Sequence, residues 1–163
     1  MSSHPHLAPE RAVDAPQVEA LIARAFGPGR FAKAAERLRE GRAPLLALSF
    51  VAWSDGTPVG CVRLWPINLG ETPGLLLGPF AVEEAHRSAG LGAALIQTAC
   101  KAGAEAGHAL ILLVGDASYF APLGFSAAPA RNLIMPGPVD RSRVLVRPLI
   151  PWSDVCLTGS VKR

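Results

Sequence analysis

The chain has 163 residues, half of them apolar and 18% charged, with a formal net charge of +3. That balance suits one compact domain (1–163) with a sizeable core and excludes an intrinsically disordered chain. No apolar run reaches the ~18 residues that cross a bilayer, and Met1–Glu10 lacks the basic and apolar stretches of a signal peptide.

Three cysteines, Cys61, Cys100 and Cys156, are odd in number, far apart and without a Cys-x-x-Cys pair. They argue against a disulfide framework and against a zinc site, so the expected setting is a reducing cytoplasm and the expected metal is none. Lysines and arginines gather between Arg24 and Arg42 and between Arg131 and Arg147, without a continuous block. No basic helix, zinc finger or aromatic-basic sheet motif points to nucleic acid, and nothing points to a membrane partner.

Asp14 followed by Pro16 reads as a helix start, and Val18, Leu21, Ile22 and Ala25 recur at helical spacing until Gly27-Pro28-Gly29. A second amphipathic helix is predicted from about Arg30 to Glu40, ending at Gly41. Two strands, Leu45–Trp53 and Pro58–Ile67, flank the hairpin signature Ser54-Asp55-Gly56-Thr57. Leu75–Val82 is a further strand, and its Gly78-Pro79 step predicts a bulge or an opening in the sheet. A helix over Gly90–Ala106, a buried strand over Ala109–Val114 and a brief helix capped by Asp116 and ended by Gly124 follow. Phe125 opens the last strand region, Arg143–Leu149 is the final strand, and 151–163 reads as a C-terminal tail. Hairpins together with one strand-helix-strand crossover predict an α/β or α+β domain with a mixed sheet.

The most informative segment runs from Leu77 through Arg87-Ser88-Ala89-Gly90-Leu91-Gly92-Ala93. A buried strand leads by a short turn into a glycine-rich helix start, where amides without internal partners and the positive dipole end suit a pyrophosphate. A glycine pair alone has a plain alternative, close packing at a helix start. A dinucleotide-binding fingerprint needs a third glycine where Leu95 stands, and a phosphate loop of the Walker type needs a following Gly-Lys-Ser/Thr that is absent.

The spacing of Arg87, Gly90 and Gly92 resembles the Arg/Gln-x-x-Gly-x-Gly/Ala motif of the GNAT acetyltransferase superfamily. Phe26-Gly27-Pro28-Gly29-Arg30, Leu77-Gly78-Pro79, Leu113-Val114-Gly115-Asp116 and Leu123-Gly124-Phe125 occur in the order of a bacterial GNAT subgroup, over roughly residues 7–150. The resemblance implies a V-shaped mixed sheet of about six or seven strands with helices on both faces. It also implies that the fourth and fifth strands splay apart to admit acetyl-coenzyme A. Cofactor contacts would then come from Phe80, Ala81 and Val82 and from the turn Arg87, Ser88, Ala89, Gly90, Leu91, Gly92 and Ala93. The implied reaction is direct attack of a primary amine, on a small molecule or peptide, on the thioester. A strand-four amide near Ala81 or Val82 would face the oxyanion.

Many members of the superfamily protonate the thiolate with a tyrosine four residues before the glycine of Tyr-x-x-x-Gly-Phe. Phe120 stands at that place here, and Tyr119, the chain's one tyrosine, precedes it. Three readings stand: Tyr119 substitutes as the catalytic acid, solvent protonates the thiolate, or the chain is a weak or inactive relative. The alternative function is accordingly a non-catalytic acyl-coenzyme A-binding module. Glu83, Glu84, His86 and Asp116 are the available bases, each with a plainer surface or capping role. Cys100 reads as core rather than nucleophile because no histidine accompanies it. Trp53, Trp65 and Asn68 either line an acceptor pocket or pack within the sheet, and homodimerisation stays open.

Overall fold

The computed structural model describes residues 4–26, 34–151 and 157–163. The Gly27-Pro28-Gly29 stop, residues 30–33 of the expected second helix and Cys156 lie outside them. Eight strands form one mostly antiparallel sheet: β1 (His6–Pro9), β2 (Phe50–Ser54), β3 (Thr57–Leu69), β4 (Thr72–Val82), β5 (Leu110–Val114), β6 (Asn132–Ile134), β7 (Val144–Pro148) and β8 (Thr158–Lys162). The order is β1-β2-β3-β4-β5-β7, with β8 pairing both β3 and β6. The helices are α1 (Ala15–Phe26), α2 (Ala34–Arg39), α3 (Leu91–Glu105) and the single turn α4 (Ala117–Phe120).

Strand alternation divides the core into layers. Leu75, Leu77, Ile111 and Leu113 turn to α3, where they meet Leu95, Ile96 and Ala99. Leu76, Leu110 and Leu112 turn the other way, to Leu38 and Trp65. Such two-faced burial explains why β4 and β5 read as unbroken apolar runs in the sequence. Helix α1 seats Val18, Leu21 and Ile22 on Val51, Cys61 and Ala81. Helices therefore cover both faces of the sheet. Among the described residues no helix is long and apolar enough to cross a membrane, and no cluster of His, Cys, Asp or Glu is arranged to hold a metal.

The hairpin turn carries positive φ at both Asp55 (50°) and Gly56 (76°), the type I′ geometry whose twist matches the flanking strands. Strand β2 starts at Phe50 rather than Leu45, because Leu46–Leu48 form a 3-10 turn. Ser49 supports that turn: its buried hydroxyl donates to the Leu45 carbonyl at 2.8 Å and accepts from Leu64 N–H at 3.0 Å. A side chain here takes over a role the ladder would otherwise fill. Arg63 is also buried, and its guanidinium grips both oxygens of Glu10 at 3.0 and 2.9 Å while reaching Glu19 of α1 at 2.6 Å. Asp14, expected at the start of α1, turns back instead to the Arg11 main-chain N–H at 2.9 Å, closing the 3-10 turn that precedes the helix.

Candidate active site

Three local features converge where β4 ends. The first is the opening of the sheet. Strands β4 and β5 pair in parallel only at Leu75–Ile111 and Leu76–Leu112, and beyond Leu77 they separate. On the other side of β4 the pairing with β3 shifts, so that Arg63 alone faces Gly78 and Pro79, which is the bulge their sequence predicts. The Trp65 indole N–H donates to the Gly78 carbonyl and fixes the bulge from below. Trp65 is thus a buried support, Trp53 packs beside α1, and Asn68 reaches the Arg163 carbonyl away from the opening.

The ladder then decides which groups of β4 face the opening. Glu83 N–H donates to the Val59 carbonyl at 2.8 Å, making 59–83 a bonded pair. Bonded and non-bonded pairs alternate in an antiparallel ladder, so Cys61–Ala81 is the next bonded pair. The main-chain groups of Ala81 therefore point to β3, whereas those of Phe80 and Val82 point to the open side. The expectation of cofactor contacts from Phe80, Ala81 and Val82 is corrected for the main chain of Ala81, which is turned to β3. Arg87 Nε donates to the Val82 carbonyl at 3.0 Å and occupies it. Phe80 keeps both its N–H and its carbonyl free of β3, and Val82 keeps its N–H.

The second feature is the start of α3. Gly90 caps it in the left-handed region at φ 78°, a conformation that side chains rarely adopt. The first bond of the helix runs from Ala94 N–H to the Gly90 carbonyl at 3.1 Å, so the amides of Leu91, Gly92 and Ala93 precede the ladder and have no partner within it. Leu91 buries its side chain in the core and holds this end in place. Ser88 and Ala89 lie exposed on the 3-10 turn just before it. Gly90 has open space around it, so its requirement is conformational. Gly92 is different, because a β-carbon there would meet the Phe80 ring at 3.1 Å.

The third feature is α4. Asp116 caps it, accepting from Ser118 N–H at 2.9 Å and from the Ser118 hydroxyl at 2.8 Å, and these donors hold its carboxyl below the usual carboxylate range. Within that one turn Phe120 and Tyr119 part company. Phe120 is 7% exposed and packs edge-on against Phe125 at 5.8 Å between ring centres. Tyr119 is 43% exposed, and its ring lies 6.2 Å from Phe80 beside the start of α3. Partial burial raises its phenol above the ordinary tyrosine value.

Two cavities flank Phe80. One, of about 260 Å³, is bounded by Ala25, Phe80, Ala81, Val82, Arg87, Gly92 and Tyr119. It gathers most of the residues that the sequence singled out. The other, of about 220 Å³, lies on the α2 side of the same opening, between Leu77–Phe80, Leu113–Asp116, Phe120 and the side chains of Glu36, Arg39 and Arg143. Sequence reasoning missed those last three. The only available signal was the Glu36/Arg39 spacing of three on a short helix. Of the other candidates, Glu83 is committed to Arg24 at 2.6 Å, and Glu84 is exposed. Cys61 and Cys100 are both buried, and burial pushes the Cys61 thiol up to about 12, so neither resembles an activated nucleophile.

The sequence profile of the acetyltransferase (GNAT) family matches residues 16–125, which span α1 through the turn after α4. A curated relative, the N-acetyltransferase YhbS of Escherichia coli K12, is 32% identical over 153 residues, covering 92% of this chain and 90% of its own. The chain belongs to the GNAT acetyltransferase family. The crystal structure of E. coli YhbS in complex with CoA superposes with a TM-score of 0.78 at 28% identity, over 98% of this chain and 89% of that one. A GNAT acetyltransferase of Brucella melitensis, solved with acetyl-CoA, shares the fold with a TM-score of 0.71 at 24% identity, over 98% and 96% of the two chains. The profile match ends at Phe125, before Arg143 and the strands β6 to β8.

Proposed function

We propose that this GNAT protein is an N-acetyltransferase that passes an acetyl group from acetyl-coenzyme A directly to a primary amine. The observation that carries the reading is the meeting, around one cavity, of an unpaired β4 edge, a bare α3 N-terminus and a tyrosine hydroxyl. Acetyl-coenzyme A supplies the activated acyl group as a thioester. The amides of Leu91, Gly92 and Ala93, at the positive end of a helix of 15 residues, suit its pyrophosphate. Gly92 without a side chain leaves room for that approach. An arm running back from there along β4 meets Val82 N–H first and then the free groups of Phe80, which suit its amides. Phe80 N–H, deepest in the opening, is the donor placed for the thioester oxygen as it gains charge, a role that the ladder denies to Ala81.

In the reaction the amine nitrogen bonds to the acyl carbon, the carbon–sulfur bond breaks, the nitrogen gives up a proton to solvent, and the sulfur takes one. Tyr119 is the donor this reading assigns, since it is the chain's one phenol and its raised pKa keeps it protonated at neutral pH. The amine must lose a proton before it attacks, and Asp116, at the wall of the α2-side cavity, is a carboxylate positioned to attract the ammonium form. The test is direct: titrate acetyl-coenzyme A by calorimetry, then supply amines and follow released thiol and acetylated product. Binding followed by transfer is expected. A protein that binds the thioester and acetylates no amine would instead be an acyl-coenzyme A-binding module.

A further inference from the structure

The α2-side cavity carries four charged side chains, and their arrangement speaks to what else the acceptor bears. Arg39 is nine-tenths buried, with only 10% of its side chain exposed, and Nη2 is held by Glu36 at 2.5 Å. Its Nη1 stands over the bulge, 3.2 Å from where a β-carbon on Gly78 would lie, and no bond within the described residues engages it. Arg143 faces the same cavity from the 3-10 turn just before β7, anchored by the bond from Gly115 N–H to its carbonyl at 2.9 Å. Its guanidinium has no hydrogen bond among the described residues and acts on Asp116 and Asp140 only through its field. Two guanidinium groups with unspent donors thus share a wall with two carboxylates, around a space of about 220 Å³.

We infer that the acceptor is a small amine that also carries a carboxylate, an amino acid or a close analogue, with Arg39 and Arg143 holding the carboxylate. This rests on the transferase reading above. An amine without an anionic group would leave Arg39 Nη1, on a side chain only 10% exposed, with its donors unmet, which is costly. A polycation would meet both arginines. A phosphate, with up to two charges, would face Glu36 and Asp116 across the same cavity, whereas a carboxylate presents one charge and the planar fork that a guanidinium matches. Arg39 lies at the bulge two residues from Phe80, so a carboxylate there leaves the amine within a few bonds of the reacting edge. A peptide N-terminus has an amide where this ligand has its carboxylate.

The test compares free amino acids with their carboxamides as acceptors, reading acetylated product by mass spectrometry and acetyl-coenzyme A affinity by calorimetry. For the preferred side chain, the acid should exceed its carboxamide in kcat/KM by about 10- to 100-fold, the worth of a charge-assisted bond. Arg39→Gln should collapse that ratio toward unity and retain acetyl-coenzyme A binding. Because Arg39→Gln strips Glu36 of its partner, the exposed Arg143→Gln is measured alongside, and it too should lower the ratio. Equal use of acid and carboxamide, preference for the carboxamide, or a ratio unmoved by Arg143→Gln and by a folded Arg39→Gln overturns the inference and leaves the transferase reading standing. Binding of acetyl-coenzyme A with no acetylation of any amine overturns both.

Discussion

An added β-carbon on Gly92 would stand 2.5 Å from the Tyr119 hydroxyl, so the first turn of α3 and the single turn of α4 share one small space. Gly92→Val should therefore displace the tyrosine and crowd the groove together. Acetyl-coenzyme A affinity is expected to fall at least about 10-fold, a loss of 1.4 kcal/mol or more, in a protein whose circular dichroism is unchanged. Unaltered affinity in the folded variant would remove the pyrophosphate from this turn.

Tyr119→Phe tests the assignment of the acid. Turnover should drop by ~10² to 10⁴-fold, with acetyl-coenzyme A affinity nearly intact. The wild-type pH profile gives an independent reading. Burial raises the phenol above its ordinary value near 10.0, so the acid form persists throughout neutral pH and is lost only as pH rises past that value. The alkaline limb of kcat should accordingly lie above pH ~10. Full activity in Tyr119→Phe would hand the proton to solvent. A gain on adding Phe120→Tyr would show that the usual family position still reaches the sulfur, despite Phe120 being 7% exposed.

Arg63→Met leaves Glu10 buried with neither of its two guanidinium bonds. The expected loss is about 3–5 kcal/mol of folding stability, visible in urea denaturation, because the uncompensated charge costs more than the pair returns. Replacing both partners by apolar residues of similar volume should recover much of it. A single-variant loss below about 1 kcal/mol would mean that water reaches Glu10.

Trp65→Phe removes the indole N–H that holds the Gly78 carbonyl. A destabilisation of about 1–3 kcal/mol is expected from the stranded acceptor. Since that carbonyl belongs to the bulge beside Phe80, kcat/KM should fall further than stability alone explains. A variant as active as wild type would show that the bulge keeps its shape without the indole.

Periodicity and turn chemistry made much of this fold legible. The Val18/Leu21/Ile22 stripe, the Asp55-Gly56 turn and the Gly78-Pro79 interruption each act locally, and the structure places each where its spacing indicates. Strand β1 is four residues and β8 five, both largely polar or mixed, and they exist through their partners rather than through propensity. The start of β2 was misread because the Ser49 hydroxyl, an invisible influence in a hydrophobic pattern, favours a turn. Within the site, the Arg87/Gly90/Gly92 spacing was readable because its requirements are backbone requirements. Which of Phe80, Ala81 and Val82 faces the opening depends on register with β3, and register is a tertiary property. The grouping of Glu36, Arg39, Asp116 and Arg143 joins segments more than a hundred residues apart along the chain, and no local pattern announces it.

Strand β6 is held in the sheet by β8, aided by Arg141, which donates to the Leu133 carbonyl at 2.6 Å. The consequence is one of timing. Among the described residues β6 pairs with no strand but β8, and β8 joins it to β3, so the β6 ladder closes only after Thr158–Lys162 has been made and docked.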